Sequence, residues 1–352
     1  MEVPFLDLGL QYQSIKSEID AVISEVIVSE KYIQGPFVEK FEREFCKNHG
    51  SRFAVGCANG SSAITVALRS LGVGPGDEVI TSTNTFFATL EGIHEVGAQI
   101  VLVDCDPHYY GVTAEGVAAK ITKKTRAIIP VHLYGHPCDM PAIMEGARAH
   151  DSLVIEDRGQ AHLGVFAGKA VGTYGNIGTF SFYPGKNLGA YGDAGLIVTE
   201  DEKLCELLKM HVNHGRKGKY EHEFLAGNFR MDGLQAAILN VKLKYLNEWT
   251  EARRSVARKY DEVLKAKGFK VLTPLEVAKC VYHLYVVEVQ NRAEVQEKLG
   301  ASGISTGVHY PIPMHLQSGL KHLGHKVGDF PVSEKACDRM LSLPIFPEIT
   351  DA

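Results

Sequence analysis

Between residues 50 and 200, short β-prone runs alternate with segments of helical periodicity. The runs are apolar without interruption, which is typical of strands that are covered on both faces. Alternation with helices favours parallel strands, because the chain must cross back before it can begin the next one. We therefore predict an α/β fold with three layers, in which helices cover both sides of a mostly parallel central sheet. The runs that carry this prediction are "RFAVGC", "DEVITS", "QIVLVD", "RAIIPVH" and "SLVIE".

The pattern changes after residue 200. Residues 231–264 keep apolar side chains at helical spacing, which predicts one long helix, either straight or bent. The segments "YHLYVVEVQ", "NRAEVQEKLGASG" and "ISTGVHY" then predict strand, helix and strand in a second, smaller unit. We expect a large domain over residues 1–240, with a helical segment at its N-terminus. A small C-terminal α/β domain over residues 241–352 would include the long helix.

Composition and charge exclude several classes of protein. The 352 residues have a net charge of −5, which argues against a general binder of nucleic acid or anionic membranes. No apolar stretch reaches the roughly 18 residues of a membrane-spanning helix, and the first residues do not resemble a signal peptide. The seven cysteines are scattered without paired spacing. They predict reduced, mostly buried thiols in a cytoplasmic protein.

Polar residues follow the first predicted strand, where a helix begins. Ligands of open α/β sheets lie beyond the carboxyl ends of the strands. Here the chain reads Asn59, Gly60, Ser61 and Ser62. The free N–H groups and positive dipole end of such a helix can bind an anion such as phosphate. An ordinary serine N-cap is the alternative interpretation.

Two further strand ends carry aromatic and acidic residues. Phe86 and Phe87 lie at the next strand-to-helix junction, where either ring could stack on a flat ligand or pack in the core. Asp157 ends an apolar strand and is followed by Gln160 and His162. A carboxylate at the end of a buried strand needs a cationic partner, which could be a side chain, a helix end or a protonated ligand nitrogen.

Lys186 lies in the most unusual segment, "TFSFYPGKNLGAYGDAG". A β-prone run leads there into a lysine that is surrounded by glycines, which give a ligand close access to the backbone. Buried lysines shift their pKa readily and act as Schiff-base nucleophiles. Ser181, five residues earlier, could bind an anion. The alternative is a lysine that forms a surface salt bridge.

Asn228 and Arg230 precede the long helix, where an arginine could clamp a carboxylate or phosphate or could simply cap the helix. Each of these features alone is weak evidence for a ligand site. Together they supply an amine, a carboxylate, an aromatic ring and an anion site. Pyridoxal 5'-phosphate (PLP) requires this combination of groups.

The chain resembles the DegT/DnrJ/EryC1/StrS family of PLP-dependent nucleotide-sugar aminotransferases. Matching motifs cover essentially the whole sequence in order, and that order and spacing are far more specific than any one of them. They include "PFLDLGLQYQSIKSEID", "YIQGPFVEKFE", "VHLYGHPCDM", "SFYPGKNLGAYGDAG", "HYPIPMH" and "SLPIFPEIT". The resemblance implies the fold type I architecture of aspartate aminotransferase.

The resemblance also implies roles for individual residues. Lys186 would form the Schiff base with PLP and then move a proton, and Asp157 would pair with the pyridine nitrogen. Gln160 would contact the ring hydroxyl, and Asn228 would reach the cofactor phosphate of the partner in a homodimer. The other implied cofactor contacts are Gly60, Ser61, Ser62, Phe86 and Ser181. The implied substrate contacts are His309, Tyr310 and Arg230.

Three features depart from the family pattern. Arg158 follows the aspartate where a small residue is usual, and it could either compete for Asp157 or point away from the cofactor. Ala194 stands where glycine is commoner, which is a change of one methyl group. The chain also stops soon after "FPEIT", where relatives continue into a last helix.

By resemblance we expect a ping-pong transamination in which L-glutamate converts PLP to pyridoxamine 5'-phosphate. The amino group then passes to a nucleotide-linked keto-sugar. The segment "HYPIPMH" resembles that of members that aminate C-3 of a keto-hexose. The expected acceptor is a 3-keto-6-deoxyhexose linked to dTDP or UDP. The nucleotide phosphates would meet cationic side chains from Arg216, Lys217, Lys219 and Arg230. A 4-keto-sugar or inosose aminotransferase, a PLP-dependent sugar dehydratase and a non-catalytic regulator remain as alternatives.

Overall fold

The computed structural model describes residues 2–350, and a seven-stranded sheet runs through its centre. In spatial order its strands are β1 (Phe53–Cys57), β9 (Gly195–Thr199), β8 (Ile177–Ser181), β5 (Leu153–Asp157), β4 (Thr125–Ile129), β2 (Glu78–Ser82) and β3 (Gln99–Val103). Neighbours are parallel except at β9, which is antiparallel to both β1 and β8. The predicted α/β fold with a mostly parallel sheet is confirmed.

Helices cover both faces of this sheet. In chain order, the helices of residues 2–350 are α1 (Leu8–Ser29), α2 (Pro36–His49), α3 (Gly60–Ser70), α4 (Phe87–Glu95), α5 (Ala114–Ala118), α6 (Met140–Ala149), α7 (Glu202–Val212), α8 (Gly233–Leu243), α9 (Leu246–Ala266), α10 (Arg292–Ala301) and α11 (Pro331–Arg339). Short 3₁₀ turns lie at Leu133–Gly135, Met314–Leu316 and Ser318–Leu323. The crossovers from β2 to β3, from β3 to β4 and from β4 to β5 contain α4, α5 and α6, respectively. The parallel crossover from β5 to β8 contains two short strands instead, Val165–Phe166 and Lys169–Ala170.

Burial on both faces explains why the strand runs are apolar throughout. Within β4, Ala127 and Ile129 pack in one hydrophobic cluster, and Ile128 packs in another. Successive side chains of a strand point to opposite faces, so both faces of this strand need apolar residues. Helices α3, α4 and α7 contribute to the first cluster, whereas α5 and α6 contribute to the second.

A second sheet lies towards the C-terminus. Strands β10 (Lys270–Val271), β12 (Tyr285–Glu288) and β13 (Met340–Leu343) form it, in that order, with antiparallel pairing. A third small sheet has the order β11 (Ala278–Lys279), β6 (Val165–Phe166) and β7 (Lys169–Ala170). The predicted helix in "NRAEVQEKLGASG" is α10. The predicted strand in "ISTGVHY" is wrong, because this segment makes only isolated bridges and β13 pairs with β12 instead.

The predicted long helix is two helices. Helix α8 ends at Leu243 and α9 begins at Leu246, with Lys244 and Tyr245 between them. Only side-chain spacing was visible in the sequence, and that spacing continues across the break without a proline or glycine. The boundary predicted at residue 240 falls inside α8, and the division into two domains stays a prediction.

One carboxylate joins the central sheet to the C-terminal segment. Asp104, directly after β3, accepts hydrogen bonds from Val332 N and Ser333 N at 2.9 Å each, and from Ser333 Oγ at 2.7 Å. These donors belong to the first turn of α11, whose N–H groups have no partner within the helix. Asp104 therefore fixes the start of α11, and with it the approach to β13, against the carboxyl edge of the central sheet.

The cysteines form no disulfide among the described residues: Cys46 is half-buried and the other six are buried. Burial raises the pKa of Cys105 and of Cys138 to about 12, so both thiols stay protonated at neutral pH. Within residues 2–350, no helix is both long enough and apolar enough to cross a bilayer.

Candidate active site

A cavity of about 730 Å³ opens at the carboxyl edge of the central sheet. The strands β1, β2, β5 and β8 run in the same direction, so the residues that follow them meet at this edge. The cavity brings together most of the residues singled out from the sequence. Those that line it are Gly60, Ser61, Phe86, Asp157, Gln160, Ser181, Lys186, His309 and Tyr310.

The start of α3 forms one wall of this cavity. Asn59 is its N-cap, and the Asn59 Oδ1 atom accepts hydrogen bonds from Ser62 N and Ser62 Oγ at 2.8 Å each. The helix is packed closely on β8, because a Cβ atom added to Gly60 would lie 2.7 Å from Ser181 Cβ. The N–H groups of Gly60 and Ser61 thus lie in the first helical turn, beside Ser181. This wall suits an anion.

Asp157 ends β5 and presents its carboxylate to the cavity. Thr89 Oγ1 donates to Asp157 Oδ2 at 2.9 Å, and Gly159 N donates to Oδ1 at 3.0 Å. Thr89 in turn lies 2.9 Å from Thr85 Oγ1. Two donors therefore hold the carboxylate in one orientation, with its remaining lone pairs free for a cationic ligand.

Lys186 follows β8 and reaches the same cavity. Its backbone N donates to Tyr183 O at 2.8 Å, which closes a tight turn. Its Nζ has no hydrogen-bond partner among residues 2–350. Burial lowers the pKa of Lys186 to about 8, although the Asp157 carboxylate opposes this effect. A substantial fraction of the amine is therefore uncharged near neutral pH and able to act as a nucleophile.

This lowered pKa gives a direct expectation for the protein without cofactor. Labelling of Lys186 by trace acetic anhydride should rise with a midpoint near pH 8. The reference is a lysine in an added unstructured peptide, which titrates near pH 10.4. Mass spectrometry of the two peptides across a pH series measures both midpoints in one sample. A common midpoint for the two lysines would contradict the burial of Lys186.

The same shift links this lysine to stability. Its folded-state pKa lies below its unfolded-state value, so the unfolded chain binds more protons between about pH 8 and pH 10.5. The contribution of Lys186 to the free energy of unfolding must therefore increase as the pH rises through this window.

Gln160 is engaged by two neighbours. Tyr134 N donates to Gln160 Oε1 at 2.6 Å, and Gln160 Nε2 donates to Tyr310 Oη at 3.2 Å. Tyr310 packs against Phe86, whose ring is 5.6 Å away and is 55% exposed at the mouth of the cavity. Burial raises the pKa of Tyr310 well above its usual range, so its hydroxyl stays protonated.

His309 lines the cavity from the segment that follows α10. Its Nδ1 is 2.9 Å from Ser342 Oγ, and the ring of Phe5 stacks on it at 5.6 Å. Burial and the nearby Lys186 charge lower the pKa of His309 to about 4. His309 is therefore neutral at pH 7 and can exchange hydrogen bonds without bringing a charge.

Arg158 points away from the cavity and does not compete for Asp157. Its side chain is fully buried, and Nη2 donates to Ala161 O at 2.6 Å. Its guanidinium carbon lies 4.7 Å from the centre of the Phe180 ring, and Nη1 contacts His49 Nε2. Arg158, the departure from the family pattern, therefore lies outside the cavity lining and makes no ion pair with Asp157.

Room for Arg158 comes from Gly172. This glycine has φ +90°, and a Cβ atom added to it would lie 2.6 Å from Arg158 Cδ. We expect Gly172→Ala to lower the free energy of unfolding by about 3 kcal/mol, from backbone strain and overpacking. Gly168→Ala is the matched control, because Gly168 has φ +80° and open space around it. Gly168→Ala should lower the free energy of unfolding by about 1 kcal/mol. Equal losses in denaturant titrations would show that Arg158 does not fill this space.

Several residues singled out from the sequence do not line the cavity. The Ser62 amide and hydroxyl are used by the N-cap, and Asn228 is exposed on the segment before α8. Arg230 makes an isolated bridge with Cys57. Lys217 forms an exposed ion pair with Glu223 at 3.0 Å. Binding roles for these residues stay predictions.

Other residues were missed from the sequence and contribute to the cavity. Thr89, in the first turn of α4, orients Asp157, and its hydroxyl contacts that of Thr85, which lies just before the helix. His283 and Arg253 also line the cavity, but they lie far along the chain and carry no local motif. Only the folded chain brings them to Lys186.

The sequence matches the DegT/DnrJ/EryC1/StrS aminotransferase family over residues 13–352. It is 47% identical to a pleiotropic regulatory protein of Geobacillus stearothermophilus, with 100% of this chain and 95% of the relative covered. It is 40% identical to a dTDP-3-amino-3,4,6-trideoxy-alpha-D-glucose transaminase of Streptomyces venezuelae, with 99% and 92% covered.

A solved structure is similar over the same extent. It is that of S. venezuelae DesV in complex with a ketimine intermediate, with a TM-score of 0.97 and 39% identity. The similarity covers 99% of this chain and 95% of DesV. The fold and the order of the site-bearing elements are therefore shared across the whole length.

Proposed function

We propose that this chain transfers an amino group to a nucleotide-linked keto-sugar bound in this cavity, because the chain belongs to the DegT/DnrJ/EryC1/StrS aminotransferase family. The family depends on PLP. The observation that carries the proposal is the shared cavity of Lys186, with its lowered pKa, and Asp157, with its two oriented oxygens.

The walls of the cavity fit PLP. The first turn of α3, with Gly60 and Ser61, and the nearby Ser181 would hold the phosphate. Asp157 would pair with the protonated ring nitrogen, and Phe86 would cover one face of the ring. The bound cofactor supplies an electron sink for negative charge at the carbon that loses a proton.

The chain's own residues then handle protons and orientation. Lys186 Nζ takes the proton from the α-carbon of the amino donor, which its low pKa allows near neutral pH. Thr89 keeps the Asp157 carboxylate aimed at the cavity. Gln160 holds the Tyr310 hydroxyl, and with His309 it presents neutral hydrogen-bonding groups that suit sugar hydroxyls.

The finer assignments follow from the resemblance and from the named relatives. We infer L-glutamate as the amino donor and a 3-keto-6-deoxyhexose, linked to dTDP or UDP, as the acceptor. The S. venezuelae relative is named for a dTDP-3-amino-3,4,6-trideoxy sugar, and that name supports amination at C-3. A homodimer in the cytoplasm would bring the exposed Asn228 of one subunit to the cavity of the other, and the exposed Ile27, Val28 and Ile33 offer apolar surface for such contact.

The test is an absorption spectrum of the purified protein with PLP, before and after L-glutamate is added. We expect the band of lysine-bound PLP to be replaced by that of pyridoxamine 5'-phosphate, with one 2-oxoglutarate released per site. A dTDP-linked 3-keto-6-deoxyhexose should then restore the original band and give an amino sugar. The corresponding 4-keto isomer is the matched control.

Each remaining alternative has its own signature in this assay. A response only to the 4-keto isomer, or only to an inosose, would reassign the acceptor. Loss of a hydroxyl from the sugar without gain of nitrogen would identify a dehydratase. The relative in G. stearothermophilus is called a regulatory protein; PLP binding without any response to amino donors would favour that role.

A further inference from the structure

His283 lines the cavity next to Lys186 and has no part in the mechanism described above. Its Nδ1 lies 3.3 Å from Asn187 Oδ1. Asn187 directly follows Lys186 in the chain, so the histidine is tied to the loop that carries the reactive amine. The opposite edge of the ring, with Nε2, has no hydrogen-bond partner among the described residues.

Asn187 fixes which nitrogen of His283 carries the proton. Asn187 Nδ2 donates to Val281 O at 2.9 Å. A carbonyl only accepts, so the amide must present NH₂ to Val281 and its oxygen to His283. That oxygen also only accepts, so the ring proton of His283 lies on Nδ1. The Nε2 atom therefore keeps a free lone pair.

Arg253 and Gly135 hold the backbone around His283. Arg253 Nη1 donates to Tyr282 O at 3.3 Å and to His283 O at 3.4 Å. Gly135 lies against the same segment, since a Cβ atom added to it would be 3.0 Å from His283 N. Tyr282 itself has φ 45°, a left-handed conformation that persists only where surrounding contacts impose it. The imidazole is thus a fixed feature of the cavity.

The electrostatic setting keeps this ring neutral. Burial and the positive charges of Lys186 and Arg253 hold the pKa of His283 well below its usual range. The lone pair on Nε2 is therefore available at neutral pH, and it can meet only a hydrogen-bond donor. The other titratable groups facing this corner are Asp157, His162 and His309.

We propose that His283 is a positioning residue for Lys186: the ε-amine, which has no partner within the described part of the chain, turns to donate a hydrogen bond to His283 Nε2 when it is released from the cofactor. The proposal rests on the proposed function, in which Lys186 alternates between a bonded and a free state. A free lysine side chain can occupy many rotamers. One accepted hydrogen bond keeps its amine close to the atoms on which it acts.

The first experiment measures the pKa of Lys186 in cofactor-free protein by trace acetylation. An acceptor stabilises the ammonium form, so its removal should lower the pKa of Lys186 by about 1. His283→Asn keeps a group at the Nδ1 position and loses the one at Nε2, so we expect the lower pKa. His283→Gln supplies an oxygen near the Nε2 position, so we expect a pKa near that of the unaltered protein. His322→Asn, at an exposed histidine, is the control.

The second measurement needs no substitution. Nitrogen-15 spectra of histidine-labelled protein should show His283 protonated at Nδ1 and unprotonated at Nε2. The opposite tautomer would overturn the proposal, as would an unchanged pKa of Lys186 in His283→Asn. Equal decreases in the pKa of Lys186 in His283→Asn and His283→Gln would also overturn the proposal, because they would indicate an effect of packing alone. Failure of the glutamate assay would instead reject the proposed function, since acetylation requires neither PLP nor turnover.

Discussion

Lys186→Ala should lose the absorption band of lysine-bound PLP and reduce amino transfer by about 10⁴-fold, the upper end of what a single acid–base group contributes. The substitution removes the amine whose pKa burial lowers to about 8, and no other lysine lines the cavity within residues 2–350. The spectrum and the rate of 2-oxoglutarate formation measure the two effects separately.

Lys244→Ala is the matched control for this substitution. Lys244 is exposed and pairs with Glu18 at 2.5 Å on the surface. Its loss should leave both spectrum and rate unchanged, since exposed ion pairs contribute little. If Lys186→Ala retained the lysine-bound band, a different amine would have to hold the cofactor.

Asp157→Asn should lower amino transfer by about 10²- to 10³-fold, comparable to the loss of one oriented electrostatic group in other enzymes. The amide cannot offset a positive charge on the ring nitrogen, so the cofactor becomes a poorer electron sink. The fold should not change. Gly159 N can still donate to the amide oxygen, and the Thr89 hydroxyl can turn to accept from the new NH₂ group.

Initial rates with L-glutamate, together with a thermal melt, separate these two expectations. Glu91→Gln removes one negative charge from an exposed position on α4, the helix that carries Thr89. It should leave the rate unchanged. A rate for Asp157→Asn equal to that of the unaltered protein would show that this carboxylate does not face the cofactor.

The sequence was informative where structure depends on neighbouring residues. The uninterrupted apolar runs predicted the parallel sheet, because a strand that is buried on both faces needs an apolar side chain at nearly every position. Lys186 and Asp157 were predicted for a related reason. Asp157 ends such a run and Lys186 lies in the loop that follows another, and strand ends of one direction converge at one edge of a sheet.

Features that depend on distant residues could not be predicted. The direction of Arg158 is set by His49 and by the space at Gly172, and no local pattern links these positions. The tautomer of His283 depends on Asn187, far earlier in the chain. The segment "ISTGVHY" has strand propensity, yet its partners are only Val3 and Ser342 in isolated bridges, so no regular strand forms.

The Asp104 bond to α11 has a consequence for protein engineering. One way to engineer sugar aminotransferases is to build chimaeras in which the C-terminal third of one enzyme replaces that of another. Here such an exchange would separate a helix start from the carboxylate that satisfies its N–H groups. A chimaera whose junction lies after α9 must therefore keep an aspartate at position 104 together with the transplanted segment. In recombination libraries that exchange the two sheets independently, variants that lack this contact will fail to fold correctly.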